Sequence, residues 1–405
     1  MKKILEIGLG IVTSVGGFLE IGSITTAAQA GASFGFQLGW SIVLGTLCIA
    51  FLVEMSGRFS AVSKHTIPDA MRERFGANFF AVPLFVMLGV SLLVLAAEIG
   101  GVAVAVELAT GISFPIWALP VALLSWALLW KTTFSTIENG VSLLGLVTIA
   151  FAVGVVKLHP DYGAVARGFI PTLPSQDKSK YWFIAVSVLG ASISPYLYYF
   201  YSSGAIEEKW DESYIGTNRA IAAIGMGFGG FLSIAVLILA AVLFHPRGIS
   251  VEHYQQLPEL LSGVFGRKGF WLVIASLAIA CLGATLEIAL SLAYLVAQGF
   301  GWNWGEDLAP RDDARFALTY TMLVLAGSLF ALFHADPLKL TQLSMALTAT
   351  SLPIGTFPFL ILMNDTKYLG KHTNGHIGNA VVMFISVLSG VLGLVSIPLE
   401  LIGGG

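Results

Sequence analysis

Charge is the scarcest resource in this chain. Only 24 acidic and 21 basic residues occur among 405, so 11% of the chain is charged, about half the share of a soluble domain. A soluble protein of this length needs more charged surface, which makes lipid the main solvent. Cysteine is nearly absent. Cys48 and Cys281 both lie inside apolar runs, so no disulfide framework or Cys-based metal cluster is expected, only small buried residues. The formal net charge of -3 excludes a nucleic-acid partner. No Gly-rich phosphate loop and no nucleophile–base constellation is present. The seven histidines (His65, His159, His245, His253, His334, His372 and His376) lie in or near loops. An enzyme is not expected, and neither is a resident cofactor. What is abundant is apolar surface, at 56% of residues and a mean hydropathy of +0.83.

A membrane-crossing helix needs roughly 20 mostly apolar residues. Eleven such spans are expected, at 4–29, 37–56, 79–109, 114–131, 137–158, 180–204, 217–245, 269–300, 314–334, 337–363 and 376–403. The first follows Met1-Lys2-Lys3 and reads as a span, not a cleaved leader. Linkers carry the charge and the Pro, Gly and Asp clusters: Ser56–Gly76, His159–Lys180, Glu207–Arg219 and Gly301–Arg315. A charged helix is expected at 67–75, and a short amphipathic surface helix over His253–Gly266. The whole chain, 1–405, reads as a single transmembrane domain. With the N-terminus in the cytoplasm, thirteen Lys and Arg fall inside and eight outside. Lysine and arginine favour the cytoplasmic side, so the C-terminus is expected outside.

Two spans are interrupted. Span one holds Gly16-Gly17-Phe18-Leu19-Glu20-Ile21-Gly22-Ser23-Ile24-Thr25-Thr26, with a carboxylate, glycines and hydroxyls at its centre. Span six holds Gly190-Ala191-Ser192-Ile193-Ser194-Pro195-Tyr196, where proline removes an N–H and clashes with the preceding turn. Irregular backbone at membrane depth is tolerated only where it is buried or lines a cavity. Broken helices in corresponding positions of two halves mark a transport site. Here they open two five-span units, about 4–158 and 180–363, followed by an extra span at 376–403. An intramembrane carboxylate such as Glu20 is costly and marks function.

These segments resemble the NRAMP family of metal-ion transporters over nearly the whole chain. Glu20-Ile21-Gly22-Ser23 stands where that family has Asp-Pro-Gly-Asn, followed by Gln29-Ala30-Gly31-Ala32. Ala97-Glu98-Ile99-Gly100-Gly101 resembles its Ala-Glu-x-x-Gly segment, and Leu52–Gly76 and the 160–174 loop resemble its linkers. Ser194-Pro195-Tyr196-Leu197-Tyr198-Tyr199-Phe200-Tyr201-Ser202 stands where the family has Met-Pro-His-Asn-Leu-Tyr-Leu-His-Ser. The resemblance implies an all-α, LeuT-type inverted 5+5 repeat working by alternating access. It also exposes departures. The family's metal ligands, Asp, Asn and Met, are Glu20, Ser23 and Ser194 here. Its two span-six histidines, tied to proton handling, align with Tyr196 and Tyr201, and a span-ten Gln aligns with Met345. Loss of the thioether removes a soft ligand, so this is not a typical transition-metal carrier.

What remains at the breaks is Glu20, Gly22 and the hydroxyls of Ser23, Thr25, Thr26, Ser192, Ser194 and Tyr196. Half-helix N-termini near Ser23, Ile24, Thr25, Tyr196 and Leu197 offer N–H groups suited to an anion. Tyr198, Tyr199 and Tyr201 can shape a small polar cavity beside them. A small oxyanion is the first reading, with bicarbonate preferred partly because the resemblance extends to a bicarbonate-carrying branch. Glu20 then has three open roles: a neutral hydrogen-bond donor, a group that couples H+, or a ligand for co-transported Na+. The alternative is a hard divalent cation, Mg2+ or Mn2+, anchored by Glu20. A third reading is a non-transporting sensor, which usually carries a signalling domain that is not expected here. Glu98, Tyr201, Ser344 and Thr348 are candidates for coupling or cavity lining. Glu287 is expected to be structural. The expected setting is a bacterial inner membrane.

Overall fold

The computed structural model describes residues 20–131, 146–172, 174, 177–305, 308, 310–333 and 335–403. Among them every regular element is helical. Nine helices are long and apolar enough to cross a membrane: Gly39–Ser63, Ala77–Thr110, Phe114–Lys131, Lys178–Glu207, Glu212–Arg247, Arg267–Phe300, Ala314–Leu332, Pro337–Met363 and His376–Pro398. They correspond to spans two to four and six to eleven. Of spans one and five, only Ile21–Phe34 and Leu146–Leu158 are described. The readings at 4–19, with its Gly16-Gly17 pair, and at 137–145 lie outside the described residues.

Span two runs to Ser63, past its apolar stretch. Its continuation holds Arg58, which reaches back one turn to Glu54 at 2.9 Å, so the added charge is neutralised within the helix. The chain then turns at Lys64, in a left-handed conformation with φ 60°. Helix Ile67–Phe75 follows as expected. The Thr66 side chain caps it by accepting from the Asp69 N–H, Pro68 lies in its first turn, and Arg72 and Arg74 lie in its last. These placements suit the free N–H groups at one end and the carbonyls at the other. The surface helix expected at His253–Gly266 is instead a 3-10 turn, Tyr254–Gln256, and a helix, Glu259–Phe265. Tyr254, Leu257, Leu260 and Leu261 are buried. Their apolar stripe packs into the bundle instead of lying on the membrane surface.

Linkers separate onto two faces. On one, Arg58 reaches the His372 carbonyl and Asn374, Arg74 pairs with Asp365, and His372 meets Glu212. On the other, His245 bonds the Ala32 carbonyl, Gln29 bonds the Val251 carbonyl and Gln255 reaches Glu107. This alternation is what an odd–even series of spans requires.

Among the described residues the span-six break is present, and the second half of span one starts where its break is expected. Glu20 is extended (φ -105°, ψ 177°) immediately before helix Ile21–Phe34. Ser194 separates helix Lys178–Ile193 from helix Pro195–Glu207. Span ten presses on both. A side chain at position 190 would overlap the Met345 carbonyl oxygen, and one at position 22 would overlap the Met345 thioether. Glycine at these two positions is what lets the three spans meet.

Candidate functional site

The two breaks meet at Glu20. Its carboxylate is fully buried and receives two hydroxyl donors from span six. Ser194 Oγ donates to one carboxylate oxygen at 2.9 Å, and the Tyr196 hydroxyl donates to the other at 2.7 Å. Ser23 closes the turn locally. Its Oγ accepts from the Glu20 N–H at 3.1 Å and donates to the Glu20 carbonyl at 2.9 Å.

Glu98 of span three is the second buried carboxylate. It accepts the Ile21 N–H, at 3.1 and 3.4 Å to its two oxygens, and so caps the first exposed N–H of the span-one half-helix. Glu20 and Glu98 lie close enough to act on each other electrostatically, and Cys281 of span eight lies within hydrogen-bonding reach of Glu98. The centre therefore holds two buried carboxylates at the start of one half-helix, Glu98 on the Ile21 N–H and Glu20 on the span-six hydroxyls.

Several expected members stand elsewhere. Two of the N–H groups expected to be free are used: Ile24 donates to the Glu20 carbonyl and Leu197 to the Ser194 carbonyl, because each half-helix begins its first turn at once. Ser192 faces Gly45 of span two and donates to the Val188 carbonyl at 2.8 Å. It sits two residues before Ser194, which turns it to another side of span six. Thr26 bonds back to the Gly22 carbonyl, Ser344 to Thr341 and Thr348 to Ser344, so these hydroxyls are spent within their own helices. Tyr201 stacks edge-on against Trp210 at the linker end, about two helical turns from the break. Tyr198 stacks on Phe359, and the Tyr199 hydroxyl points to Met71. Thr25 is buried beside Tyr254, whose hydroxyl meets Thr341 and Pro337.

Residues outside the expected site set also reach the centre. Met345 lies against Gly22, so a thioether does approach the break, from span ten instead of span six. Glu287 lies close enough to Tyr196 to act on it electrostatically. One turn further on the same face, Ser291 donates to the Tyr196 carbonyl at 2.8 Å. That i, i+4 spacing was the available signal for Glu287. Cys281 carried none.

Comparisons with known proteins bear on the family and the fold. The model of the natural resistance-associated macrophage protein-like (Nramp) family matches residues 10–398. The divalent metal cation transporter MntH of Bradyrhizobium diazoefficiens is 26% identical, over 97% of this chain and 88% of its own length. The MntH of Klebsiella pneumoniae is 26% identical, over 96% of this chain and 94% of its own. The manganese transporter of Eremococcus coleocola superposes with a TM-score of 0.76 at 18% identity, covering 96% of this chain and 85% of that one. The nucleobase-cation-symport-1 transporter Mhp1 superposes at 0.61 and 14% identity, covering 96% and 89%. Those neighbours share the LeuT-type fold. With a family match spanning nearly the whole chain, a broken span six, and a polar centre where it meets the described start of span one, this chain belongs to the Nramp family of integral membrane transporters.

Proposed function

We propose that this chain is a secondary transporter of a small planar oxyanion, bicarbonate foremost, coupled to H+ or Na+ through Glu20. The observation that carries this reading is the two-pronged hold of Ser194 and Tyr196. Each donates to a different oxygen of one planar carboxyl group, and bicarbonate presents the same O–C–O edge. In the arrangement described, the side chain of Glu20 occupies that seat. Transport then requires Glu20 to yield the two hydroxyls to the substrate, which ties substrate entry to the charge on Glu20. The departures at Ser23 and Ser194 from the family's Asn and Met support the same choice. We place the N-terminus in the cytoplasm and the C-terminus outside, on the distribution of Lys and Arg.

A divalent-cation reading has its own observation. Glu20 and Glu98 are two buried carboxylates at one break, neither joins an ion pair among the described residues, and Met345 brings a thioether to Gly22. Its similarity to transporters named for divalent metal cations points the same way. Purified protein in liposomes separates the two. Radiolabelled bicarbonate uptake is measured at alkaline pH, then Mn2+ and Mg2+ uptake with ion-sensitive dyes. Saturable bicarbonate uptake supports the proposal; saturable Mn2+ or Mg2+ uptake with no bicarbonate response overturns it. Glu20→Gln should abolish cation uptake but leave part of the anion binding.

A further inference from the structure

Away from the polar centre, a cavity of about 460 Å3 opens between the linker ends of spans two, seven and eleven. We infer that it holds an anionic phospholipid, with the phosphate on Arg219 and an acyl chain along Leu47, Ala50 and Phe51.

The cavity has two chemically distinct ends. One is apolar, walled by Leu47, Ala50, Phe51, Ala222 and Ala223, and Leu47 is 42% exposed in the middle of a membrane span. The other end holds two guanidiniums against one carboxylate. Glu54 takes both Nε and a terminal nitrogen of Arg58, and Arg58 also donates to Asn374 and the His372 carbonyl. Arg58 is thereby pinned and almost wholly buried. Arg219 meets the same carboxylate through Nε at 3.2 Å, yet its side chain stays 66% exposed. One carboxylate against two guanidiniums leaves one net positive charge at the mouth, and the outer edge of Arg219 has the fork that matches a phosphate. The space beside Gly375 at the mouth is open, since a Cβ there would meet no atom within 4 Å.

Length selects a lipid over a soluble anion. From Leu47 to Arg58 is eleven residues of helix, about 16 Å, roughly half of a 30 Å hydrocarbon core. The cavity thus runs from headgroup level to mid-membrane, the depth of one leaflet. A soluble phosphate has no use for the apolar wall, and a neutral zwitterionic lipid gains less from the uncompensated charge.

The test is native mass spectrometry of the full chain, released from nanodiscs containing equal phosphatidylglycerol and phosphatidylcholine. The wild type should retain phosphatidylglycerol preferentially. Arg219→Ala should cut that retention about tenfold, the worth of a charge-assisted hydrogen bond. Arg219→Lys should fall between, and Arg315→Ala, on a different linker, should change nothing. Leu47→Trp, which fills the apolar end, should also weaken retention. A melting curve in detergent establishes that each variant is folded. Equal retention of the two lipids, or Arg219→Ala behaving as wild type, overturns the inference. So does competition by glycerol phosphate combined with indifference to Leu47→Trp, which would mark a site for the phosphate alone.

Discussion

Removing the Tyr196 hydroxyl separates the two substrate readings by sign. Tyr196→Phe deletes one oxygen and leaves the ring. Ser291 is unaffected, because it bonds the Tyr196 backbone carbonyl. What is lost is the 2.7 Å donor to one oxygen of the Glu20 carboxyl group. A hydrogen bond to a charged group contributes about 1.5–3 kcal/mol, and about 1.4 kcal/mol is tenfold in affinity. If the hydroxyl pair is the anion receptor, the KM for bicarbonate should rise by about 10- to 100-fold. Ser194→Ala should act in the same direction. The double variant should cost less than the product of the two, because both prongs hold one group. If Glu20 instead anchors a cation, removing a donor leaves more of its negative charge for that cation, and Mn2+ or Mg2+ should bind as well as before or better. Concentration-dependent uptake in liposomes reads both. A folded Tyr196→Phe with bicarbonate KM within about twofold of wild type would refute the receptor argument.

Glu98→Gln keeps an acceptor for the Ile21 N–H but removes its charge, so it should cost about 1 kcal/mol of stability and shift detergent melting only slightly. Glu54→Gln strands the buried Arg58 guanidinium and should destabilise by about 3–5 kcal/mol, with Glu54→Gln/Arg58→Gln recovering part of the loss. Gly190→Ala forces a methyl group onto the Met345 carbonyl and should cost at least 1–3 kcal/mol. Gly22→Ala meets only the flexible end of Met345, so Met345→Ala should restore its melting temperature. At the linker face, the Lys367 N–H and Arg74 hold the Asp365 carboxyl below the usual carboxylate range. Its stabilising contribution is present above that range and lost as pH falls through it. Protection from hydrogen exchange at 364–374, taken relative to the intrinsic rate at each pH, should fall on acidification, and Asp365→Asn should remove that pH dependence.

The nine described spans, the break at Pro195 and the helix at 67–75 were legible because each depends on neighbours in the chain. Proline at 195 breaks its own helix whatever surrounds it, and Glu20 is conspicuous for being a carboxylate in an apolar run. The facing of each side chain was not legible. In a soluble helix, the polar face reports the rotation about its axis. Spans buried in a bundle or facing lipid are apolar all round, and nothing in their pattern says which side meets the centre. That is why Ser192 reads as a site residue although it packs on Gly45, and why the pattern alone does not show Met345 reaching Gly22. Glu98 stands out as a carboxylate in an apolar run, but its partner lies 77 positions away, and only the packing of span three against the start of the span-one half-helix joins them.

Met345 shows why the two breaks cannot be treated as separate features. Its carbonyl oxygen seats against Gly190 of span six and its thioether against Gly22 of span one. One residue of span ten therefore wedges both. The same two spans are also joined across the centre by Ser194 and Tyr196 on Glu20. Packed glycine contacts of this kind have little slack, since a shift of a few tenths of an ångström costs close contacts on one side and loses dispersion on the other. A displacement of span six relative to span one must therefore stretch the hydroxyl–carboxylate bonds, repack Met345, or both. The ionic state of Glu20 sets the strength of those bonds, because hydrogen bonds to a charged acceptor are roughly twice as strong as neutral ones. Charge at the centre and the relative position of the two broken spans are thus linked by geometry. An ion that alters the first shifts the second by its difference in affinity for the two arrangements.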